Sequence, residues 1–209
     1  MKLDPSFYRR NNVVAIAKDL LGKCLFTRKQ GKTTAGIIVE TEAYSSKEKG
    51  CHAYQNRMTR RNEVMFNEGG HAYVYLCYGI HNLFNVVTNR QGEADAVLIR
   101  ALEPAEGASL MVRRMGAKSD WRITAGPGKL TKALGIDRRL NGQEPWSSQL
   151  WLEDIGDMIK PDQIVSGQRI GIDYAGRDAL LPWRFFLKGN AWISKVESPR
   201  QKEIKTTSL

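Results

Sequence analysis

Residues 71–88 read HAYVYLCYGIHNLFNVVT. Aromatic and β-branched side chains fill His71–Cys77, the chain turns at Tyr78-Gly79-Ile80-His81, and Leu83–Thr88 returns as a second apolar run. The pattern predicts a β-hairpin with a glycine and aromatics near its tip. A second hairpin precedes it. Lys23–Arg28 reads as a strand, Gln30-Gly31-Lys32 as the turn, and Thr34–Tyr44, with Ile37, Ile38 and Val39, as the return strand. Ala96–Leu102 adds an apolar strand, and shorter ones are expected around Leu150–Leu152, Arg169–Ile172 and Arg184–Leu187. Helices are fewer. Val13, Ile16, Ala17, Leu20 and Leu21 recur at helical spacing within residues 11–21, with Asn11 or Asn12 as N-cap and Gly22 as stop. Pro104-Ala105-Glu106 is expected to open a helix to Met115, stopped by Gly116. Gly126-Pro127-Gly128 leads a short helix over Lys129–Leu134, closed by Gly135. Hairpins outnumber crossover helices, so the fold class is α+β, one mixed domain on a curved, mainly antiparallel sheet. The domain is expected to span residues 1–198, with 199–209 a polar, mobile tail.

Of the 209 residues, 42% are hydrophobic, which argues against a disordered chain. At this length roughly 70% of the unfolded surface is buried on folding, so the core needs no covalent staples. The three cysteines, Cys24, Cys51 and Cys77, are odd in number and lack the C-x-x-C spacing. That speaks against a disulfide framework or Cys-type zinc site and for a reducing compartment. Met1–Ser6 has no apolar signal-like region, and no stretch approaches eighteen apolar residues, so neither secretion nor membrane spanning is expected. Thirty-two Lys and Arg against 22 Asp and Glu leave a net charge of +10. Such a surplus favours polyanionic partners, nucleic acid most simply, although basic enzymes with small substrates also exist.

Several residues invite a chemical reading. Glu40 and Glu42 share one face of their strand, and paired carboxylates can divide acid and base duties. An exposed polar face is the plainer reading of such a pair. Here Ile37, Ile38, Val39, Ala43 and Tyr44 imply a strand buried on both faces, where a carboxylate is costly unless paired or used. Tyr73, Tyr75 and Tyr78, with His71 and His81, crowd one hairpin. They read either as cross-strand packing or, at a projecting tip, as a wedge between base steps or a platform for an extruded base. Residues 45–62 form a long polar and basic loop. Its Arg57, Arg60 and Arg61, with Arg113, Arg114, Arg138 and Arg139, are basic clusters that a solvated surface would also explain. Gly126-Pro127-Gly128-Lys129 before a helix suits an anion but lacks P-loop spacing. His52 beside Cys51 has no second metal ligand at a recognised spacing.

Taken together, these segments resemble the alkyladenine (3-methyladenine) DNA glycosylase family. The likeness runs through Leu20-Leu21-Gly22, Ile38-Val39-Glu40-Thr41-Glu42-Ala43-Tyr44, Arg61-Asn62 to Met65-Phe66, Tyr73–Gly79, Asn85, Val97–Pro104, Gly126–Leu130 and Arg169–Ile172. It spans nearly the whole chain, with the motifs in one order. The resemblance implies a single mixed domain whose β-hairpin inserts into the minor groove of damaged double-stranded DNA. It implies a monomer with no metal and no cofactor, located inside the cell where DNA is, in bacterial cytoplasm or nucleus.

By the same resemblance, Glu42 is the catalytic carboxylate that deprotonates the attacking water, and Arg100 and the Ile170 carbonyl help to hold that water. Tyr44, His52 and Tyr75 form the pocket for the flipped base. Asn85 excludes normal guanine, and Tyr78 intercalates where the nucleotide has left. The interval from Glu42 to His52 is one residue shorter than in vertebrate members. The stretch Thr59–Val64 also departs in places, so no DNA-backbone contact is carried over there. The residues alone leave two rivals open. A non-catalytic nucleic-acid-binding module explains charge and aromatics but gives Glu42 no purpose. A carbohydrate-active hydrolase would use Glu40 and Glu42 together and bind no DNA.

Overall fold

A computed structural model describes residues 1–144 and 146–194. The predicted tail, 199–209, lies outside the described residues, as do 195–198 that were expected to close the domain. The helices are α1 (Pro5–Tyr8), α2 (Val13–Asp19), α3 (Ala108–Met115) and α4 (Pro127–Leu134). The strands are β1 (Cys24–Lys29), β2 (Lys32–Tyr44), β3 (Ala72–Cys77), β4 (His81–Thr88), β5 (Asp95–Glu106), β6 (Leu150–Glu153), β7 (Ile164–Gly167) and β8 (Arg184–Leu187). All eight join one open antiparallel sheet in the order β3-β4-β5-β2-β1-β6, with β8 added to β2 and β7 to β8. The single mixed domain on an antiparallel sheet is as expected.

The thirteen-residue β2 organises the sheet. Its first half pairs with β1, its second half with β8, and its other edge with β5. One face carries the core: Ile16 of α2 and Leu20 just after it, Met111 of α3 and Leu130 and Leu134 of α4 pack with Ile38, Ile99, Leu102, Phe84 and Phe185. Thr41 points the same way and donates to the Ala17 carbonyl at 2.8 Å. Its neighbours Glu40 and Glu42 therefore emerge on the opposite face. A second apolar cluster, with Cys51, Ala53, Met65, Phe66, Tyr73, Val87 and Ala96, lies beneath the 45–62 segment.

Four local expectations are corrected. Pro104-Ala105-Glu106 does not open a helix: β5 continues through it, Pro104 pairing with Gly36 and Glu106 with Ala35. Pro104 sits at a register shift, where its missing N–H costs no ladder bond. The helix waits for Gly107, whose φ of +73° makes the bend; a Cβ there would lie 2.6 Å from the Thr33 carbonyl oxygen. Arg169–Ile172 is irregular, and the strand is β7 just before it. The third correction concerns residues 45–62, which are no loose surface loop. They hold a 3₁₀ turn at Tyr54–Asn56 and bury Ser45, Ser46, Glu48, Cys51, Ala53 and Asn62. The fixing contact is an ion pair from Glu48 to Arg169, with bonds of 2.6 and 2.8 Å. Helix α4 also starts two residues earlier than predicted, because Pro127 at its first position has the helical φ already set.

Candidate active site

Glu40 and Glu42 both have no solvent exposure, yet their surroundings differ. On Glu42, Oε2 accepts from the Tyr44 hydroxyl at 2.7 Å and Oε1 from the Ile170 N–H at 2.8 Å, with Arg100 Nη1 3.2 Å from Oε1. All three partners line a cavity of about 760 Å³. On Glu40, Arg100 Nε, Arg184 Nε and the N–H and hydroxyl of Ser194 converge, and of these only Arg100 reaches the cavity. Glu42 thus lies directly behind the cavity wall, and Glu40 one layer deeper. Ile170 explains why its segment leaves the strand path. Its N–H is spent on the Glu42 carboxylate rather than on a ladder, and Gly171 follows with φ of +79°.

The cavity wall is aromatic. Tyr73 and Tyr75 share one face of β3, as their i, i+2 spacing predicts, with ring centroids 5.3 Å apart. His52 meets Tyr75 edge to face at 4.6 Å, and its Nδ1 is 2.9 Å from the Tyr73 hydroxyl. Burial, and then the charge of Arg61, push the His52 imidazole down to about 4, so it is neutral at physiological pH. Tyr44 is held separately, by its hydroxyl on Glu42 and by the Arg169 guanidinium 4.8 Å from its ring centre. Burial, followed by the neighbouring Glu42, raises the Tyr44 phenol well above its ordinary value. The phenol therefore stays protonated and donates to the carboxylate. Burial alone would weaken the Arg100 cation, but Glu42 and Glu40 outweigh it, so the guanidinium keeps its charge. Asn85, opposite Tyr73 on β4, is buried and donates to the Tyr73 carbonyl at 3.2 Å.

Tyr78 stands at the tip of the β3–β4 hairpin, 86% exposed, and borders the same cavity. Tyr78 and Gly79 both have positive φ, 49° and 71°, and the Ile80 N–H closes the turn on the Cys77 carbonyl. Each residue that the resemblance assigns to the site therefore lines this cavity or, for Glu42, lies just behind it, whereas Glu40, His71, Arg57 and Arg60 do not line it. The sequence marks Arg61 as part of a basic cluster and Gly126-Pro127-Gly128-Lys129 as an anion-suited turn, whereas Tyr174 carries no signal there, and all of them belong to the wall. Arg61 lies 5.4 Å from the Tyr75 ring centre, and Tyr174 reaches the Gly50 carbonyl. Gly126-Pro127-Gly128-Lys129 completes the rim, packed so closely on His81 that a Cβ on Gly128 would lie 2.8 Å from His81 Cγ. The Cys51–His52 pair does not act together: the Cys51 thiol turns to the Ala94 carbonyl, the His52 ring to Tyr73.

An aromatic cavity, large enough for a purine and backed by a buried carboxylate on a basic chain, fits a hydrolase that works on one base at a time. The model of the family described as methylpurine-DNA glycosylase matches residues 6–191. The class is thus that of the DNA N-glycosylases, hydrolases that release bases from DNA. The chain belongs to the methylpurine-DNA glycosylase family. A protein of Carboxydothermus hydrogenoformans, provisionally named 3-methyladenine DNA glycosylase, is 47% identical over 195 residues, 93% of this chain and 100% of the relative. Proteins with the same provisional name from Methanocella arvoryzae and Chlamydia felis are 48% and 46% identical. They cover 92% and 88% of this chain and 96% and 95% of their own lengths.

Proposed function

We propose that the protein is a monofunctional glycosylase of base excision repair that flips alkylated or deaminated purines out of duplex DNA and hydrolyses their N-glycosidic bond. It acts as a monomer from the minor-groove side and leaves an intact strand with an abasic site. One observation carries the reading: Glu42 is fully buried, and each of the three groups holding it lines the aromatic cavity.

The flipped base enters between Tyr44 and the His52–Tyr75 wall. Many alkylated purines are cationic, which weakens the glycosidic bond and favours the electron-rich tyrosine faces. Neutral His52 adds no repelling charge. Asn85 crowds the exocyclic amino group of normal guanine. Water then attacks the sugar carbon as the base departs with the bonding electrons, and Glu42 takes the water's proton. Arg100 and the Ile170 carbonyl hold that water. The Tyr44 hydroxyl and the Ile170 N–H keep both carboxylate oxygens in register. Extruding the nucleotide costs a few kcal/mol, less for a weakly paired lesion, and Tyr78 offsets part of that by filling the vacated stack.

The test is release of free base from duplexes carrying hypoxanthine, ethenoadenine or a methylated purine. General-base catalysis is worth about 10²–10⁴-fold, so Glu42→Gln loses at least about that much excision while still binding lesion DNA. Near-normal excision by the variant, or borohydride trapping of a covalent enzyme–DNA adduct, overturns the reading.

A further inference from the structure

Arg100 is shared between two carboxylates, and the sharing is built into the sheet. Along β2 and β5, Ile38 pairs with Leu102, Glu40 with Ala101 and Thr41 with Ile99, which leaves Val39 and Arg100 as the extra residues of two adjacent register shifts. Such bulges re-aim a side chain. Here Arg100 is turned so that Nε meets Glu40 at 3.1 Å and Nη1 meets Glu42 at 3.2 Å. Glu40 is fixed from behind by Arg184 Nε at 2.6 Å, the Ser194 N–H at 2.7 Å and the Ser194 hydroxyl at 2.8 Å. Burying a carboxylate this completely is costly, and the chemistry proposed above gives Glu40 no step to perform.

We propose that Glu40 is a positioning residue: it anchors Arg100 away from a two-pronged grip on Glu42 and, by its charge, sets how strongly Glu42 takes a proton. Arginine and carboxylate pair through two parallel bonds when free to do so. A bidentate Arg100 would occupy the Glu42 oxygens and weaken them as a base. With Nε committed to Glu40, Arg100 gives Glu42 a single contact.

The groups facing Glu42 are Tyr44 on its own strand, Arg100 on β5, Arg169 beside Ile170, and Arg184 opposite it in register on β8. Their counter-charges are Glu40 and Glu48. Three arginines thus balance three carboxylates, and removing either sign from behind Glu42 has a defined effect. Without the negative charge of Glu40, the arginines hold Glu42 more firmly ionised. Without the positive charge of Arg184, they hold it less firmly.

This inference rests on Glu42 being the base, and the experiment separates the two. Single-turnover release of 7-methylguanine is measured against pH, because a cationic base leaves without an added proton and the acid limb then reports the general base. Glu40→Gln should move that limb down by about one pH unit and slow the plateau about tenfold or more. Arg184→Gln should move it up. Limbs that stay with the wild type, or shift the same way in both variants, overturn the proposal. If Glu40→Gln does not fold, Arg184→Gln carries the sign alone, since Glu40 keeps Arg100 and both Ser194 donors. An active Glu42→Gln control sinks the base reading itself; an inactive control with unmoved limbs sinks only the role of Glu40.

Discussion

Glu40 and Glu42 are the same residue type, two positions apart on the same face, and only their partners tell them apart. From the sequence both are legible as buried carboxylates, because the apolar residues around them leave no exposed face. Which one stands at the cavity is legible only through the resemblance, not from the residues themselves. The deciding donors come from Ile170 and Ser194, more than a hundred residues along the chain, and their backbone N–H groups carry no sequence signature. His52 is legible only through the resemblance, since its neutral state comes from its packing and from Arg61. That state has a consequence for stability. Desolvation of the ring, and then Arg61, lower folded His52 toward about 4 from its unfolded value of 6.5, an effect that solvent at the exposed edge of the residue screens in part. The unfolded state therefore binds more protons in between, and stability falls as pH drops from about 6.5 to 4. Replacing His52 by Gln should flatten part of that decline when thermal midpoints are compared at pH 7 and pH 5. An equal decline in both proteins would mean that the folded site does not hold His52 neutral.

The β3–β4 hairpin is the element best read from sequence, because alternation and a Tyr-Gly tip are both local signals. Where prediction failed, long-range pairing overrode local preference. Pro104-Ala105-Glu106 looks like a helix start until β2 supplies a partner strand. Arg169–Ile172 looks like a strand until Glu48 and Glu42 claim its donors. Tyr78 adds a conflict inside the hairpin itself. A non-glycine residue with φ of 49° costs roughly 1–2 kcal/mol. Strain of that kind at an exposed tip argues for a use of the side chain. Tyr78→Gly should therefore raise the unfolding free energy by up to about 1 kcal/mol while weakening base flipping. Calorimetry reads the first effect and ethenoadenine fluorescence in a lesion duplex reads the second. A variant that flips the lesion as well as the parent does would remove Tyr78 from the intercalating role.

At the scale of the whole molecule, charge is sorted by depth. Arg100, Arg169 and Arg184 are buried against Glu40, Glu42 and Glu48, so these six cancel and leave the surplus of +10 to the rest of the chain. Not every other arginine is free to meet a partner. Arg114 is bound to Thr34 and the Ala133 carbonyl, and Arg139 to Asp137. Arg57 and Arg60 remain exposed near Arg61, and Lys129 lies on the cavity rim. Among the described residues no helix is long and apolar enough to cross a membrane. The expected partner of this surface is the phosphate backbone, and that makes affinity steeply dependent on salt. Each neutralised phosphate contributes about −0.9 to the slope of log K against log salt, so about six contacts cost roughly 10³-fold between 50 and 200 mM. Fluorescence anisotropy with a lesion duplex and its undamaged counterpart should give nearly parallel slopes. The phosphates are common to both, whereas on the proposed function the preference for the lesion would come from Tyr44, His52 and Tyr75, which carry no charge. A flat affinity for both duplexes would mean that the basic surface is not the docking face. A lesion preference that vanished with added salt would mean that the aromatic cavity is not what reads the base.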